Sequence, residues 1–91
     1  VIIGRKTFIC DNSHGRCTRP ELDIPANVRP MYSKGPIVIE DYAWIGEMVC
    51  ILPNVKIGKG SIIGANSVVT KDIPDHALAC GNPARVIKII E

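Results

Sequence analysis

Residues 39–74 divide without a gap into six blocks of six residues, IEDYAW, IGEMVC, ILPNVK, IGKGSI, IGANSV and VTKDIP. The first residue of each block is aliphatic, and these openers are Ile39, Ile45, Ile51, Ile57, Ile63 and Val69. A period of six fits neither the 3.6-residue turn of an α-helix nor the two-residue alternation of a half-buried strand. It fits a three-sided coil in which each block supplies one short strand and one corner. We therefore predict two complete coils, stacked through parallel strands about 4.8 Å apart, with the openers pointing inwards.

Glycine and asparagine recur at two further positions of the blocks. The second position holds Gly46, Gly58 and Gly64, and Asn54 and Asn66 lie two residues further along their own blocks. Both residue types tolerate backbone angles that other residues avoid. We expect them to form the corners of the coil.

The series of aliphatic openers, which we call the ladder, is flanked by residues 1–38 and 75–91. Ile3 and Ile9 keep the same register, so residues 1–14 are expected to be faces of the same prism. Residues 15–38 contain four prolines and show no period, which predicts one long excursion loop; loops of that length are usually functional. Residues 75–91 leave the ladder and end in an apolar run, which predicts a short C-terminal cap.

Composition sets broad limits. The 91 residues are 46% hydrophobic but only 4% aromatic, which favours one all-β domain over 1–91 with an aliphatic core. The net charge of +2 without a basic run argues against nucleic acid, and no apolar stretch is long enough to predict a membrane span. Because the chain begins at Val1, we expect that it lacks an N-terminal portion.

Four cysteines without a CxxC pair favour free thiols in the cytoplasm. Cys10, His14 and Cys17 are close enough in sequence to suggest a metal cluster as an alternative. That group has neither a clear fourth ligand nor the usual short cysteine spacing of a structural zinc site, so we expect no metal.

The segment DNSHG, residues 11–15, lies where the ladder breaks into the excursion. A histidine at a rigid corner beside a loop is well placed to act as a general base, since an ordinary imidazole is partly neutral at physiological pH. His14 is therefore the candidate catalytic residue.

The order DNSHG, an irregular loop, GPI, VIEDYAWIG, ILPNVKIGKGSIIGANSVVTKDIP and GNPARVIK closely resembles the hexapeptide-repeat O-acetyltransferases, which include galactoside, maltose and polysaccharide-modifying enzymes. The resemblance covers nearly the whole chain. It implies a left-handed parallel β-helix, a homotrimer with intersubunit active sites, and direct transfer of acetyl from acetyl-CoA to a sugar or polysaccharide hydroxyl.

The resemblance also implies roles for particular residues. His14 corresponds to the catalytic base, and Asn12 is expected on the acceptor side. The coenzyme-binding positions carried over are Trp44, Glu47, Ala65, Thr70, Lys71, Arg85 and Lys88. Among these, the basic side chains match contacts to the nucleotide phosphates, for which the planar fork of arginine is well suited.

Other functions stay open at this stage. A zinc lyase of the γ-carbonic anhydrase type needs three histidine ligands, whereas this chain has only His14 and His76. The chain could also be a non-catalytic trimerising module, which would need the ladder but none of the catalytic residues. An amine or an antibiotic could replace the sugar as acceptor, because the sequence does not name it.

Overall fold

The structure is a computed structural model that describes the backbone of residues 1–91 and every side chain except that of His14. Its elements are mostly strands of two residues. They are β1 (Ile2–Ile3), β2 (Phe8–Ile9), β3 (Ser13–His14), α1 (Arg19–Leu22), a 3₁₀ turn (Ala26–Val28), β4 (Met31–Tyr32), β5 (Val38–Ile39), β6 (Trp44–Ile45), β7 (Cys50–Ile51), β8 (Lys56–Ile57), β9 (Ile62–Ile63), β10 (Val68–Val69), β11 (Ala77–Gly81) and β12 (Ala84–Ile89).

The short strands stack into the three faces of a left-handed parallel β-helix, which confirms the predicted prism. Face 1 has the strand order β1-β6-β9-β11-β12, face 2 has β10-β7-β2, and face 3 has β5-β8, to which Ile73 adds one parallel bridge. Ile45 pairs with Ile63, and Ile51 with Val69, so one coil takes the expected 18 residues. Within these three faces, only β12 runs antiparallel to its neighbour.

Three edges join these faces, and backbone hydrogen bonds stack the turns within each edge. Edge 1–2 consists of residues 5–6, 47–48 and 65–66; edge 2–3 of 53–54 and 71–72; and edge 3–1 of 41–42, 59–60 and 75–76. On edge 1–2, for example, the Met48 N–H donates to Arg5 O at 2.8 Å, and the Asn66 N–H donates to Glu47 O at 3.0 Å.

The prediction for the corner residues was partly wrong. Left-handed backbone occurs at the fourth position of the blocks, which includes the predicted Asn54 and Asn66. The second-position glycines do not adopt it, and close approach between coils explains them instead. A Cβ added to Gly46 would lie 2.8 Å from the Ala65 backbone nitrogen in the next coil, so a larger residue would separate the coils.

The inside of the prism is filled by the ladder. Ile45, Ile51 and Ile57 are completely buried, as predicted for the block openers. The serine hydroxyls that point inwards are satisfied by backbone groups, since Ser61 Oγ donates to Gly58 O at 2.8 Å and Ser67 Oγ donates to Gly64 O at 2.6 Å. The core therefore holds aliphatic side chains and serines whose hydroxyls are hydrogen-bonded to nearby backbone carbonyls.

The two ends of the prism differ. In the first coil, Ile3 and Ile9 pair with Ile45 and Ile51 as their register predicts, yet 46% and 40% of their surfaces remain exposed. At the other end the β11–β12 hairpin continues face 1, and the last ladder residue, Val69, is completely buried. The C-terminal hairpin thus extends face 1 beyond β9, and its role as a cap stays a prediction.

The excursion lies on edge 2–3, because the chain leaves face 2 after β2 and returns on face 3 with β5. It is more ordered than the predicted irregular loop. It holds α1 and the 3₁₀ turn, and β4 returns to pair antiparallel with β3. Its only α-helix has four residues, and within the described part of the chain no helix has the length and apolar character to cross a membrane.

Candidate active site

The β3–β4 pairing fixes the backbone of the candidate base. Ser13 lies opposite Tyr32 and His14 opposite Met31 in the antiparallel ladder. Gly15 follows in the left-handed conformation, at φ 82°, and is buried, so the chain can turn sharply directly after His14. The role predicted for the His14 imidazole concerns a side chain that lies outside the described residues.

Asn12 lies just before this hairpin and is exposed. Its amide donates to the Asp11 carboxylate at 3.1 Å. Both residues line a cavity of about 390 Å³ against Ile37 of the returning chain. Asn12 is thus close to the His14 backbone in sequence and in space, and its predicted contact with an acceptor stays a prediction.

Trp44, Glu47 and Ala65 lie together on the other side of the prism. All three line one cavity of about 490 Å³ along face 1 and edge 1–2. The Trp44 ring points outwards and is 54% exposed, although it is the largest apolar side chain in the protein. The glycines at 46 and 64 form part of the cavity floor, which leaves backbone accessible to a ligand.

Arg85 and Lys88 lie on the same face as Trp44. In the β11–β12 ladder Lys88 is opposite Leu78 and Arg85 is opposite Cys80, and Leu78 in turn pairs with Ile62, the neighbour of Trp44. The path from Trp44 to Lys88 therefore crosses three strand spacings, roughly 14 Å. One elongated ligand can reach the aromatic ring and both cations.

Thr70 and Lys71 are not part of that arrangement. They end face 2 and enter edge 2–3, the edge opposite face 1 in a triangular prism. Thr70 lines a cavity of about 340 Å³ together with Ser13 of the β3 hairpin, and this cavity shares no lining residue with the one beside Trp44. The predicted site residues thus form two groups on opposite sides of a prism about 21 to 22 Å across.

The first group, which we call the coenzyme half, comprises Trp44, Glu47, Ala65, Arg85 and Lys88. The second, the hairpin half, comprises Asn12, His14, Thr70 and Lys71. Within one chain the two halves cannot touch the same small molecule across the filled core.

Sequence reasoning missed several residues that line the cavities beside β3. Lys34 and Arg16 belong to the excursion, where no period or motif marks them, and the sequence suggests Cys17 only as a metal ligand. The Arg16 guanidinium lies 4.8 Å from the centroid of the Tyr32 ring. Arg16 directly follows DNSHG in the sequence, whereas no feature of the sequence points to Lys34.

Among the side chains that the structure describes, no three His, Cys, Asp or Glu residues are grouped so as to hold a metal ion. The alternative cluster of Cys10, His14 and Cys17 includes the undescribed imidazole and therefore stays untested. All four cysteines are free thiols.

Comparisons with known proteins agree with this architecture. Residues 36–71 match the bacterial transferase hexapeptide family of six repeats. A candidate acetyltransferase of Schizosaccharomyces pombe is 44% identical over all 91 residues, which make up 41% of that protein.

Two solved structures are similar over almost the whole chain. Galactoside acetyltransferase in complex with coenzyme A has a TM-score of 0.86 and 39% identity, over 99% of this chain and 42% of that one. A hexapeptide-repeat acetyltransferase of Vibrio cholerae in complex with acetyl coenzyme A has a TM-score of 0.85 and 36% identity, over 98% and 45%. The chain thus spans less than half the length of each of these proteins.

Proposed function

Because the chain belongs to the hexapeptide-repeat transferase family, we propose that it moves an acetyl group from acetyl-CoA to a hydroxyl of a saccharide. The observation that carries this proposal is the coenzyme half, where an exposed tryptophan lies beside a groove with glycines in its floor and two cations lie on the same face of the prism. Galactoside acetyltransferase with bound coenzyme A supports the choice of ligand and acceptor.

In the proposed arrangement the thioester end of acetyl-CoA lies beside Trp44, and its phosphates lie near Arg85 and Lys88. The pantetheine arm follows the groove past Glu47 and Ala65, where it bonds to backbone groups. The roughly 14 Å between Trp44 and Lys88 suits an extended arm. Arginine and lysine at the far end supply charge-assisted hydrogen bonds to phosphate oxygens.

The proposed reaction is a direct transfer. The acceptor hydroxyl oxygen attacks the thioester carbonyl carbon while an imidazole nitrogen of His14 takes the hydroxyl proton. The C–S bond then breaks, and the thiolate of coenzyme A leaves and receives that proton from the imidazolium. The products are the acetyl ester and the free thiol, and no covalent intermediate with the protein forms.

This chemistry requires a second copy of the chain, since His14 and the coenzyme half lie on opposite sides of one prism. Face 2 joins the two edges concerned. If three copies turn face 2 towards a common threefold axis, edge 1–2 of each copy lies beside edge 2–3 of the next. We propose this homotrimer, in which the hairpin half of one chain completes the coenzyme half of its neighbour.

The outer surface of face 2 supports this arrangement. Its outward residues are Phe8, Cys50 and Val68, all apolar, and Phe8 is 60% exposed. Face 3 instead presents Lys56, which pairs with Glu40 at 3.5 Å. Apolar surface of this kind is stabilised by contact with another chain. The free thiols and the need for acetyl-CoA favour the cytoplasm as the place of reaction.

The first experiment measures thiol release from acetyl-CoA with a panel of saccharides. Wild-type protein should release thiol only with an acceptor, and His14→Ala should lower the rate about 10² to 10⁴-fold, the usual contribution of a general base. Both proteins should gain about 2.7 kcal/mol of stability at a coenzyme concentration of a hundred times the dissociation constant. Absence of any stabilisation by the coenzyme would contradict the proposal.

The second experiment tests the shared site by complementation. His14→Ala inactivates the hairpin half and Ala65→Tyr blocks the groove of the coenzyme half. Co-expression of the two should restore about a quarter of the sites, because random assembly around a threefold axis places two intact halves together that often. Co-expression of His14→Ala with a chain carrying both substitutions is the matched control and should stay inactive.

A further inference from the structure

Two neighbouring cavities beside β3 share three lining residues, Ser13, Cys17 and Lys34. One of about 270 Å³ extends under the excursion, and one of about 340 Å³ lies between the excursion and edge 2–3. Together they reach the lower part of the range of small-molecule sites, about 300 to 1,000 Å³. Because Ser13 and Gly15 flank His14, both cavities adjoin the backbone of the proposed base.

The charges of these cavities have one sign. Lys34 lines both of them and Arg16 lines one, and no aspartate or glutamate lines either. Neither cation forms an ion pair with any side chain that the structure describes. Arg16 instead lies over the Tyr32 ring, which holds its guanidinium beside the cavity without neutralising it.

Three carboxylates near the cavities have hydrogen-bond or ion-pair partners within the chain. Glu21 accepts a hydrogen bond from the Arg16 backbone N–H, and Asp23 pairs with Arg19 at 3.0 Å. Asp72, on edge 2–3, accepts a hydrogen bond from the Lys56 backbone N–H at 2.9 Å. Because the charged side chains that line the two cavities, Arg16 and Lys34, are both cations, an anionic ligand would complement them.

The rest of the lining suits a saccharide. Hydroxyl groups come from Ser13, Thr18, Tyr32 and Thr70, and each can donate and accept a hydrogen bond. Leu52 and Pro53 form an apolar wall of the larger cavity. Hydroxyls together with an apolar wall match the polar rim and the C–H face of a pyranose ring.

We propose that the acceptor is an anionic saccharide whose carboxylate or phosphate is bound by Lys34 and Arg16. This inference rests on the proposed acetyl transfer and adds its substrate class. The two cations select the acceptor, whereas His14 takes the proton from its hydroxyl. The coenzyme phosphates are assigned to Arg85 and Lys88, on the opposite side of the prism.

The test compares three probes that share one ring, methyl glucoside, methyl glucuronide and glucose 6-phosphate. Wild-type protein should prefer one of the charged probes over the neutral one, and which one it prefers distinguishes carboxylate from phosphate. Lys34→Gln should lower kcat/KM for the preferred charged probe about 10 to 100-fold, the effect of losing one charge-assisted hydrogen bond. It should leave kcat/KM for the neutral probe and the KM of acetyl-CoA nearly unchanged.

Lys59→Gln is the matched control, because Lys59 is exposed like Lys34 but lies on edge 3–1, 5.7 Å from the centroid of the Tyr42 ring. It should behave as wild type with every probe. Lys34→Glu should disfavour the charged probes further, and its circular dichroism spectrum should match that of wild type because Lys34 is exposed.

Equal use of charged and neutral probes by wild-type protein would overturn the proposal. So would a Lys34→Gln variant that raises the KM of acetyl-CoA and still prefers the charged probe. Binding of the charged probes is also followed by thermal shift without coenzyme. If wild-type protein binds a charged probe in a Lys34-dependent manner but releases no thiol, the proposed function fails and the anionic site stands. If it transfers acetyl but binds no charged probe, the proposed function stands and the anionic site fails.

Discussion

Replacing Gly15 by alanine tests whether the turn after β3 positions the catalytic group. Gly15 has φ 82°, a left-handed conformation that costs an ordinary residue about 1 to 2 kcal/mol. An added Cβ would also lie 2.9 Å from Arg29 Cδ, but that atom belongs to a flexible side chain that can move away. We therefore expect Gly15→Ala to lose about 1 to 2 kcal/mol of unfolding free energy and to stay folded.

The effect on acetyl transfer should be much larger than this loss of stability suggests. Relief of the strain would tilt the hairpin that carries His14, and a misplacement of about 1 Å can cost roughly 10²-fold in rate. Thiol release should fall by that order while coenzyme-induced stabilisation is retained. Unfolding in denaturant and steady-state thiol release measure the two effects separately.

Gly60→Ala is the matched control for this prediction. Gly60 is also left-handed, at φ 66°, and its added Cβ would lie 2.7 Å from His76 Cδ2, again a side-chain atom. It lies on edge 3–1, which contains neither half of the proposed site. Both variants should therefore lose similar stability, and only Gly15→Ala should lose activity. Equal thiol release by the two variants would refute a positioning role for the turn.

Three further experiments test the fold and its packing surface. Ile51→Ala removes a completely buried side chain and should cost about 2 to 5 kcal/mol in denaturant unfolding, whereas Ile3→Ala, at a position that is 46% exposed, should cost less than half as much. Met48→Asn should raise the unfolding free energy by up to about 1 kcal/mol, because Met48 has φ 53° and asparagine tolerates that conformation better; a loss of stability would contradict this account. Val68→Lys on face 2 should dissociate the proposed trimer in light scattering while Val38→Lys on face 3 should not, and a trimer that survives the first change would exclude face 2 as the packing surface.

The six-residue period that predicts the fold also predicts how the candidate site residues are divided between the edges of the prism. Residues 47 and 65 are 18 positions apart, one full coil, and so share an edge; residue 71 is six positions after 65 and lies on the next edge. The hexad count alone could therefore have assigned Glu47 and Ala65 to one side of the prism and Lys71 to another. The spacing of the blocks does not distinguish a glycine in a left-handed corner from one that allows two coils to approach closely, because the close approach at Gly46 depends on the neighbouring coil.

The excursion could not be predicted in the same way. Its order depends on contacts between residues distant in sequence, such as the pairing of Ser13 with Tyr32 and the position of Arg16 over that tyrosine ring. No regular spacing specifies such contacts. Lys34 lies next to a turn among four prolines and resembles any exposed lysine until the fold brings it beside β3.

A filled prism determines where chemistry can occur in this family of folds. The ladder residues, with Ile45 and Ile51 completely buried, leave no room inside for a ligand, so substrates must bind to the outer surfaces. A groove on one outer face is open to water on its other side, and a thioester held there alone would be solvated. In the proposed trimer, the hairpin of a second copy would cover that groove, exclude water and bring His14 to the thioester. The filled aliphatic core thus keeps the two halves apart on one chain, and the proposed trimer is the arrangement that would bring them together.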